Sequence, residues 1–168
     1  MANILIDGYN IMAKMDGLNG SLEARREMFI RRLGDYRTQK SHDITVVFDG
    51  EKGGWITESH ERKQGINIVY SRLGEKADDV IKRMVKAHDV EYTVITSDKE
   101  IASYAENYGH TAILSEEFIP KLYLNNQIKS AKGDDEDIEY GIITTRKKGN
   151  PKRLSKAARR RRQRLDRL

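Results

Sequence analysis

The chain has no cysteine. Disulfide frameworks, thiolate zinc sites and cysteine nucleophiles are thereby excluded, and a reducing compartment is compatible with the composition. Long apolar runs are also missing, and no stretch approaches the roughly 20 residues a membrane-spanning helix needs. The first segment, Met1-Ala2-Asn3-Ile4-Leu5-Ile6-Asp7, lacks the basic start and extended apolar core of a signal peptide. A cytoplasmic protein that does not engage membranes is the expectation. There is no G-x-x-x-x-G-K-[ST], no G-x-G-x-x-G and no second Asp two residues after Asp7. A nucleotide-binding or phosphatase-type enzyme therefore has little support. His42, His60, His88 and His110 are scattered without ligand spacing, and no Ser-His pair is recognisable.

What is present is enough for one ordinary domain with some chain left over: 168 residues, 38% hydrophobic and 34% charged. The net charge of +5 is unevenly spread. From Thr145 to Leu168 there are twelve Lys and Arg against one acid, Asp166, while the other 144 residues hold 19 bases and 25 acids. An acidic body of about −6 thus carries a tail of about +11. Such a split points to an anionic partner, most often nucleic acid.

Short β-branched runs alternate with helical patterns. Ile4-Leu5-Ile6, Thr45-Val46-Val47-Phe48, Ile66-Asn67-Ile68-Val69-Tyr70, Thr93-Val94-Ile95-Thr96 and Thr111-Ala112-Ile113-Leu114 read as five strands. Ser21 caps a helix to about Lys40, Ala77–His88 is a second, Ser97 with Glu100 opens a third by capping-box spacing, and Ser115 caps one to about Leu124. Residues 51–65 read as a loop with a short helix near its end. The pattern implies an α/β fold with a parallel sheet and helices on both faces. The domain is expected to span 1–125, with an acidic linker at 126–150 and a basic tail at 151–168.

In parallel sheets, ligands bind beyond the carboxyl ends of the strands. Strand one ends in Asp7 with Asn10 close behind, and strand two ends in Asp49. Strand three leads to Asp78-Asp79 at a helix start, and strand four ends in Thr96-Ser97-Asp98. Acids gathered at one edge repel each other unless a cation sits among them, and oxygen-only ligands favour Mg²⁺ or Mn²⁺. Such an ion suits phosphodiester hydrolysis without a protein nucleophile. Each Asp taken singly also has an ordinary reading. Asp98 follows a Ser97 cap, Asp78 and Asp79 suit a helix first turn, and Asp49-Gly50 is a turn signal. The recurrence on four strands favours the site.

Ile6-Asp7-Gly8-Tyr9-Asn10, Val47-Phe48-Asp49-Gly50, Ala77-Asp78-Asp79 and Thr96-Ser97-Asp98, in this order, resemble the YacP-like branch of the NYN domains, which are PIN-like nucleases. The likeness covers roughly residues 3–124. It implies a three-layer fold with a five-stranded parallel sheet in the order 3-2-1-4-5. It also implies a Mg²⁺- or Mn²⁺-dependent endoribonuclease acting on single-stranded RNA, and one member type cleaves mRNA on the ribosome. By resemblance Asp7, Asp78 or Asp79, and Asp98 are metal ligands, Asn10 orients Asp7 or a phosphate oxygen, and Asp49 is an outer acid. Some members carry Glu where this chain has Asp79, and both acids bind such ions.

In the tail, Lys152, Arg153, Lys156, Arg159, Arg160, Arg161, Arg162 and Arg164 form a phosphate-binding cluster rich in arginine, which suits bidentate contacts. The tail is expected to be disordered alone and helical on RNA, with Leu154, Ala158, Leu165 and Leu168 on one side. Asp134-Asp135-Glu136-Asp137 reads as a solvated linker, or as a segment that folds back on the tail. Trp55 either stacks on a base or docks on the core, and Tyr9 either touches substrate or packs on the sheet. Two rival functions remain. A non-catalytic RNA- or ribosome-binding factor would not need the acids, and a DNA flap- or exonuclease of the same fold would need more chain.

Overall fold

Ile4, Leu5 and Ile6 are all fully buried, yet their side chains alternate between opposite faces, as a strand requires. Ile4 and Ile6 join one apolar cluster and Leu5 joins another. A strand apolar on both faces must lie inside a sheet covered on both sides. The computed structural model describes residues 1–50, 56–87, 89–130 and 155–168. Its strands are β1 (Asn3–Asp7), β2 (Asp43–Phe48), β3 (Ser59–Lys63), β4 (Ile66–Tyr70), β5 (Tyr92–Ile95) and β6 (Thr111–Ile113). Its helices are α1 (Gly8–Met12), α2 (Leu22–Lys40), α3 (Ala77–Ala87), α4 (Lys99–Asn107), α5 (Ser115–Ser130) and α6 (Lys156–Arg167).

The sheet order is β3-β4-β2-β1-β5-β6. Five strands are parallel in the expected order, and β1 lies between β2 and β5 where the order reverses. The larger cluster, with Phe29, Leu33 and Tyr36 of α2 and Phe118 and Leu122 of α5, covers one face. Val80, Ile81 and Val85 of α3 and Ile101 and Ala105 of α4 cover the other. Fully burying such a side chain contributes about 1.5–3 kcal/mol, so both faces are needed to hold a sheet this apolar.

Besides the short helix α1, which the sequence pattern did not announce, three elements differ from the sequence expectations. Residues 59–63, expected in a loop, form the antiparallel edge strand β3, paired from Ser59↔Tyr70 to Lys63↔Ile66. Gln64 (φ 53°) and Gly65 (φ 78°) make the two-residue connection, with positive φ at both positions as a type I′ hairpin turn requires. The cap of α4 is Asp98 rather than Ser97, because its Oδ1 accepts from the Glu100 N–H (2.7 Å) and the Ile101 N–H (3.3 Å). Helix α5 runs to Ser130, past its expected end near Leu124.

In the tail the structure has helix α6, packed against the body. Ser155 caps α6, Leu168 is buried in the larger cluster, and the buried Tyr36 hydroxyl donates to the Leu168 carbonyl (2.6 Å). Trp55, His88, Lys152, Arg153, Leu154 and the acidic run 134–137 lie outside the described residues. Among the described residues no helix is long and apolar enough to cross a membrane.

Gly8 lets α1 begin directly at the end of β1. A Cβ there would stand 2.4 Å from Phe48 Cε1 and 2.9 Å from Val46 Cγ1. Both neighbours are fully buried and have nowhere to go. Gly8→Ala is expected to destabilise the fold by about 1–3 kcal/mol through overpacking. An unchanged denaturant midpoint would sink that account.

Candidate active site

Asp7 closes β1 and at once caps α1, its Oδ1 accepting from the Asn10 N–H at 3.2 Å. It is 7% exposed. Across the sheet Asp7 pairs with Val47, two residues before Asp49, and Ile6 pairs with Ile95, three before Asp98. The register therefore delivers all three acids to the same rim. The Asp49-Gly50 turn is fastened from the side: the Gly50 N–H donates to Ser71 Oγ (2.9 Å), and Ser71 Oγ donates to the Glu75 carbonyl (2.6 Å). That second bond draws the segment after β4, and α3 behind it, toward β2.

Asp7, Tyr9, Asn10, Asp49, Lys76, Ala77 and Asp78 line an open cleft of about 290 Å³ at this rim. Asp98 is close enough for its charge to act on Asp78. The Asp78 carboxyl is held above the usual aspartate value, first by burial and then by the Asp98 charge; Asp79 adds to the shift, and Lys82 and Lys76 oppose it. The structure thus brings together Asp7, Asn10, Asp49, Asp78 and Asp98.

It parts Asp78 from Asp79. Asp79 is exposed, and its Oδ2 accepts from the Lys76 N–H (3.4 Å), the return contact of a capping box. Asn10, beside Asp7, makes contacts on two sides. Its backbone serves Asp7, but its side-chain Oδ1 accepts from the Ser97 N–H (2.9 Å) and from Ser115 Oγ (3.0 Å). It braces the ends of β5 and β6 against β1. Ser97 Oγ in turn donates to Glu116 Oε2 (2.6 Å), and Lys14 pairs with the other oxygen. These bonds pull the Glu116 carboxyl down to about 2.

Sequence reasoning passed over Lys76, the cation in the cleft; its only signal was a position two before Asp78. Tyr9 satisfies both of its readings. It lines the cleft, packs on Phe48 with ring centroids 5.0 Å apart, and accepts a hydrogen bond from Arg26 (3.1 Å). His110 is structural: Nδ1 accepts from the Tyr92 N–H (3.0 Å) and Nε2 contacts the Val85 carbonyl (2.9 Å). The basic residues Lys156, Arg159, Arg160, Arg161, Arg162 and Arg164 are on α6, outside the cleft.

Five parallel strands whose order reverses at β1, with acids gathered beyond their carboxyl ends, define a PIN-like α/β domain of the nuclease type. The family model of the YacP-like NYN domain matches residues 4–167, and the chain belongs to that family. "Uncharacterized protein YacP" of Bacillus subtilis (strain 168) is 26% identical over 91 residues, 50% of this chain and 51% of that protein. The match thus spans about half the length of that curated relative. Two crystal structures of Rae1 (YacP) from Bacillus subtilis share the fold. A tryptophan-to-leucine mutant has a TM-score of 0.64 at 19% identity, covering 79% of this chain and 81% of that one. A second structure has a TM-score of 0.63 at 18% identity, covering 79% of each.

The raised Asp78 carboxyl has a consequence for stability. A carboxyl that keeps its proton to higher pH when folded than when unfolded makes folding less favourable as pH rises through the interval between the two values. Above that interval Asp78 is a standing cost. Asp78→Asn is therefore expected to raise the thermal midpoint at neutral pH in EDTA, and to change it less at pH 3. A lower midpoint at pH 7 would contradict the assignment.

Proposed function

We propose that this protein is a metal-dependent endoribonuclease that hydrolyses phosphodiester bonds of single-stranded RNA, mRNA on the ribosome being the substrate class the family resemblance implies. The observation that carries the reading is the convergence of Asp7, Asp49 and Asp78 on one cleft with Asp98 beside it, the Asp78 carboxyl being pushed up by burial and by Asp98. Burial and the Asp98 charge disfavour the charged form of the Asp78 carboxyl, as at a cation site before it is filled.

The donor set fits a hard divalent ion, Mg²⁺ or Mn²⁺. Among the described residues no three acids or histidines stand close enough to enclose an ion by themselves. Mg²⁺ does not require such a cage, since it commonly takes one or two carboxylates and completes its shell with water and substrate phosphate. Asp7, Asp78 and Asp98 are the residues that would hold it. When bound, the ion supplies charge to stabilise the phosphate and the leaving oxygen.

The chain's own groups do the rest. A carboxylate not committed to the ion accepts the proton of the attacking water. Lys76, among the described residues the one positively charged residue lining the cleft, offers its ammonium group to a phosphate oxygen. Asn10 acts at one remove, holding the Ser97-Asp98 turn against Asp7 through the bond to the Ser97 N–H. Helix α6 supplies further phosphate contacts. Cytoplasmic location belongs to the same reading.

The test is internal cleavage of labelled single-stranded RNA, beside matched DNA, with Mg²⁺, Mn²⁺ or EDTA. Cleavage should require the divalent ion and should fall by about a hundredfold or more in Asp7→Asn/Asp98→Asn, while RNA affinity is kept. Binding without cleavage, on free RNA and on translating ribosomes alike, would instead establish a non-catalytic RNA-binding factor.

A further inference from the structure

Helix α6 carries seven Lys and Arg among its twelve residues, and docking sorts them into two sets. Ala158, Arg161, Arg164, Leu165 and Leu168 follow helical spacing and face the body. Arg161 pairs with Glu117 and Arg164 with Glu91, while Leu165 and Leu168 pack into the larger cluster. Lys156, Arg159, Arg160, Arg162 and Arg167 are left exposed, with Asp166 the one acid among them; Lys156, Arg160 and Arg167 also border the body beside Glu91, Glu106 and Thr111. Two of the arginines expected to bind phosphate are thus committed to holding the helix down.

The helix is fixed at a particular place. Its neighbours Glu91, His110 and Thr111 stand where β5 and β6 begin, whereas Asp7, Asp49 and Asp98 stand where strands end. The exposed basic residues near Glu91, His110 and Thr111 therefore lie toward the rim opposite the acid cleft. Arg161, held by Glu117 just past the end of β6, is the part of α6 that reaches back toward the cleft's rim. Strand β1 alone, at about 3.3 Å per residue, sets the two rims roughly 15 Å apart. That exceeds the Debye length of about 8 Å at physiological salt, so the acids do not cancel the attraction at α6. A cleft lined with carboxylates repels a polyanion, and a second contact beyond screening distance offsets that.

We propose, resting on the nuclease reading for the cleft, that α6 is a rigid second contact for the RNA phosphate backbone. The RNA this protein holds well is then a single strand long enough to lie on α6 and reach the cleft. The occupant follows from charge. The exposed side offers closely spaced guanidinium groups that match a phosphate chain, and the strand is the same polymer the cleft takes. At about 3.4 Å per stacked nucleotide, a chain of about four nucleotides falls short of joining the two sites once it must follow the surface. One of about twenty spans them, and the linkage acts as a raised local concentration.

The experiment reads binding by fluorescence anisotropy, with no cleavage involved, for 4- and 20-nucleotide single-stranded RNA in EDTA. It compares the wild-type chain with Lys156→Gln/Arg159→Gln/Arg162→Gln, which keeps both ion pairs of α6. Arg31→Gln/Lys40→Gln/Lys86→Gln serves as a charge-matched control, and circular dichroism checks that α6 persists. The α6 variant should bind the 20-mer about tenfold more weakly or worse, with a salt slope shallower by about 2. Its affinity for the 4-mer should fall far less, and the control should behave as wild type. Equal loss with both RNAs, loss in the control, or unchanged 20-mer binding overturns the proposal. Preference of the exposed face for an acidic peptide over RNA does so too. Length-dependent binding through α6 in a chain that cleaves nothing would refute the nuclease reading alone.

Discussion

Asn10 Oδ1 accepts hydrogen bonds from the Ser97 N–H and from Ser115 Oγ, so one side-chain atom ties the start of α1 to the segments that follow β5 and β6. Each such bond contributes only about 1 kcal/mol net. Its weight lies in what it joins. Ser97 precedes Asp98 and its hydroxyl donates a hydrogen bond to Glu116, which Lys14 holds from the far side. The acids on β1 and β5 are therefore set against each other by a polar lattice independent of any charge between them. Carboxylates that repel one another need such a scaffold, because nothing in their own interaction would gather them.

The apolar core supplies the other half of that constraint. Ile4 and Ile6 face one helix layer and Leu5 the other, which leaves β1 no freedom to slide or rotate. A slip of one residue would exchange the faces and carry Asp7 away from the rim. The close contact of Gly8 with Phe48 and Val46 sets the exit angle of the chain. Packing fixes where β1 ends, the Asn10 lattice fixes what surrounds that end, and the cleft results from both.

Much of this was legible in the residues. The five parallel strands announced themselves as apolar runs, and the ends of four of them pointed to Asp7, Asp49, Asp78-Asp79 and Asp98 as neighbours on one rim. Strand β3 was hidden because Ser59-His60-Glu61-Arg62-Lys63 has no apolar alternation; it exists by pairing with β4 across a Gln64-Gly65 turn. Helix α1 is five residues long and starts with glycine, too short for a period to show. Asp78 and Asp79 have the same local propensities and differ only by about 100° around a helix, so tertiary placement alone assigns one to the cleft and the other to a cap. The run Arg159-Arg160-Arg161-Arg162 is uniform in the same sense, and only docking tells a tethering arginine from an exposed one.

Helix α6 has one more effect, and it concerns the borders of the sheet. A six-stranded open sheet has two edge strands whose backbone groups invite another strand to add. On one side β3 presents His60, Glu61 and Arg62 to solvent, charges that make such addition unfavourable. On the other side β6 is three buried residues long, with no charge of its own, and α6 packs against it. The helix that turns arginines outward thus also shields the one unguarded border of the sheet from another copy of the chain.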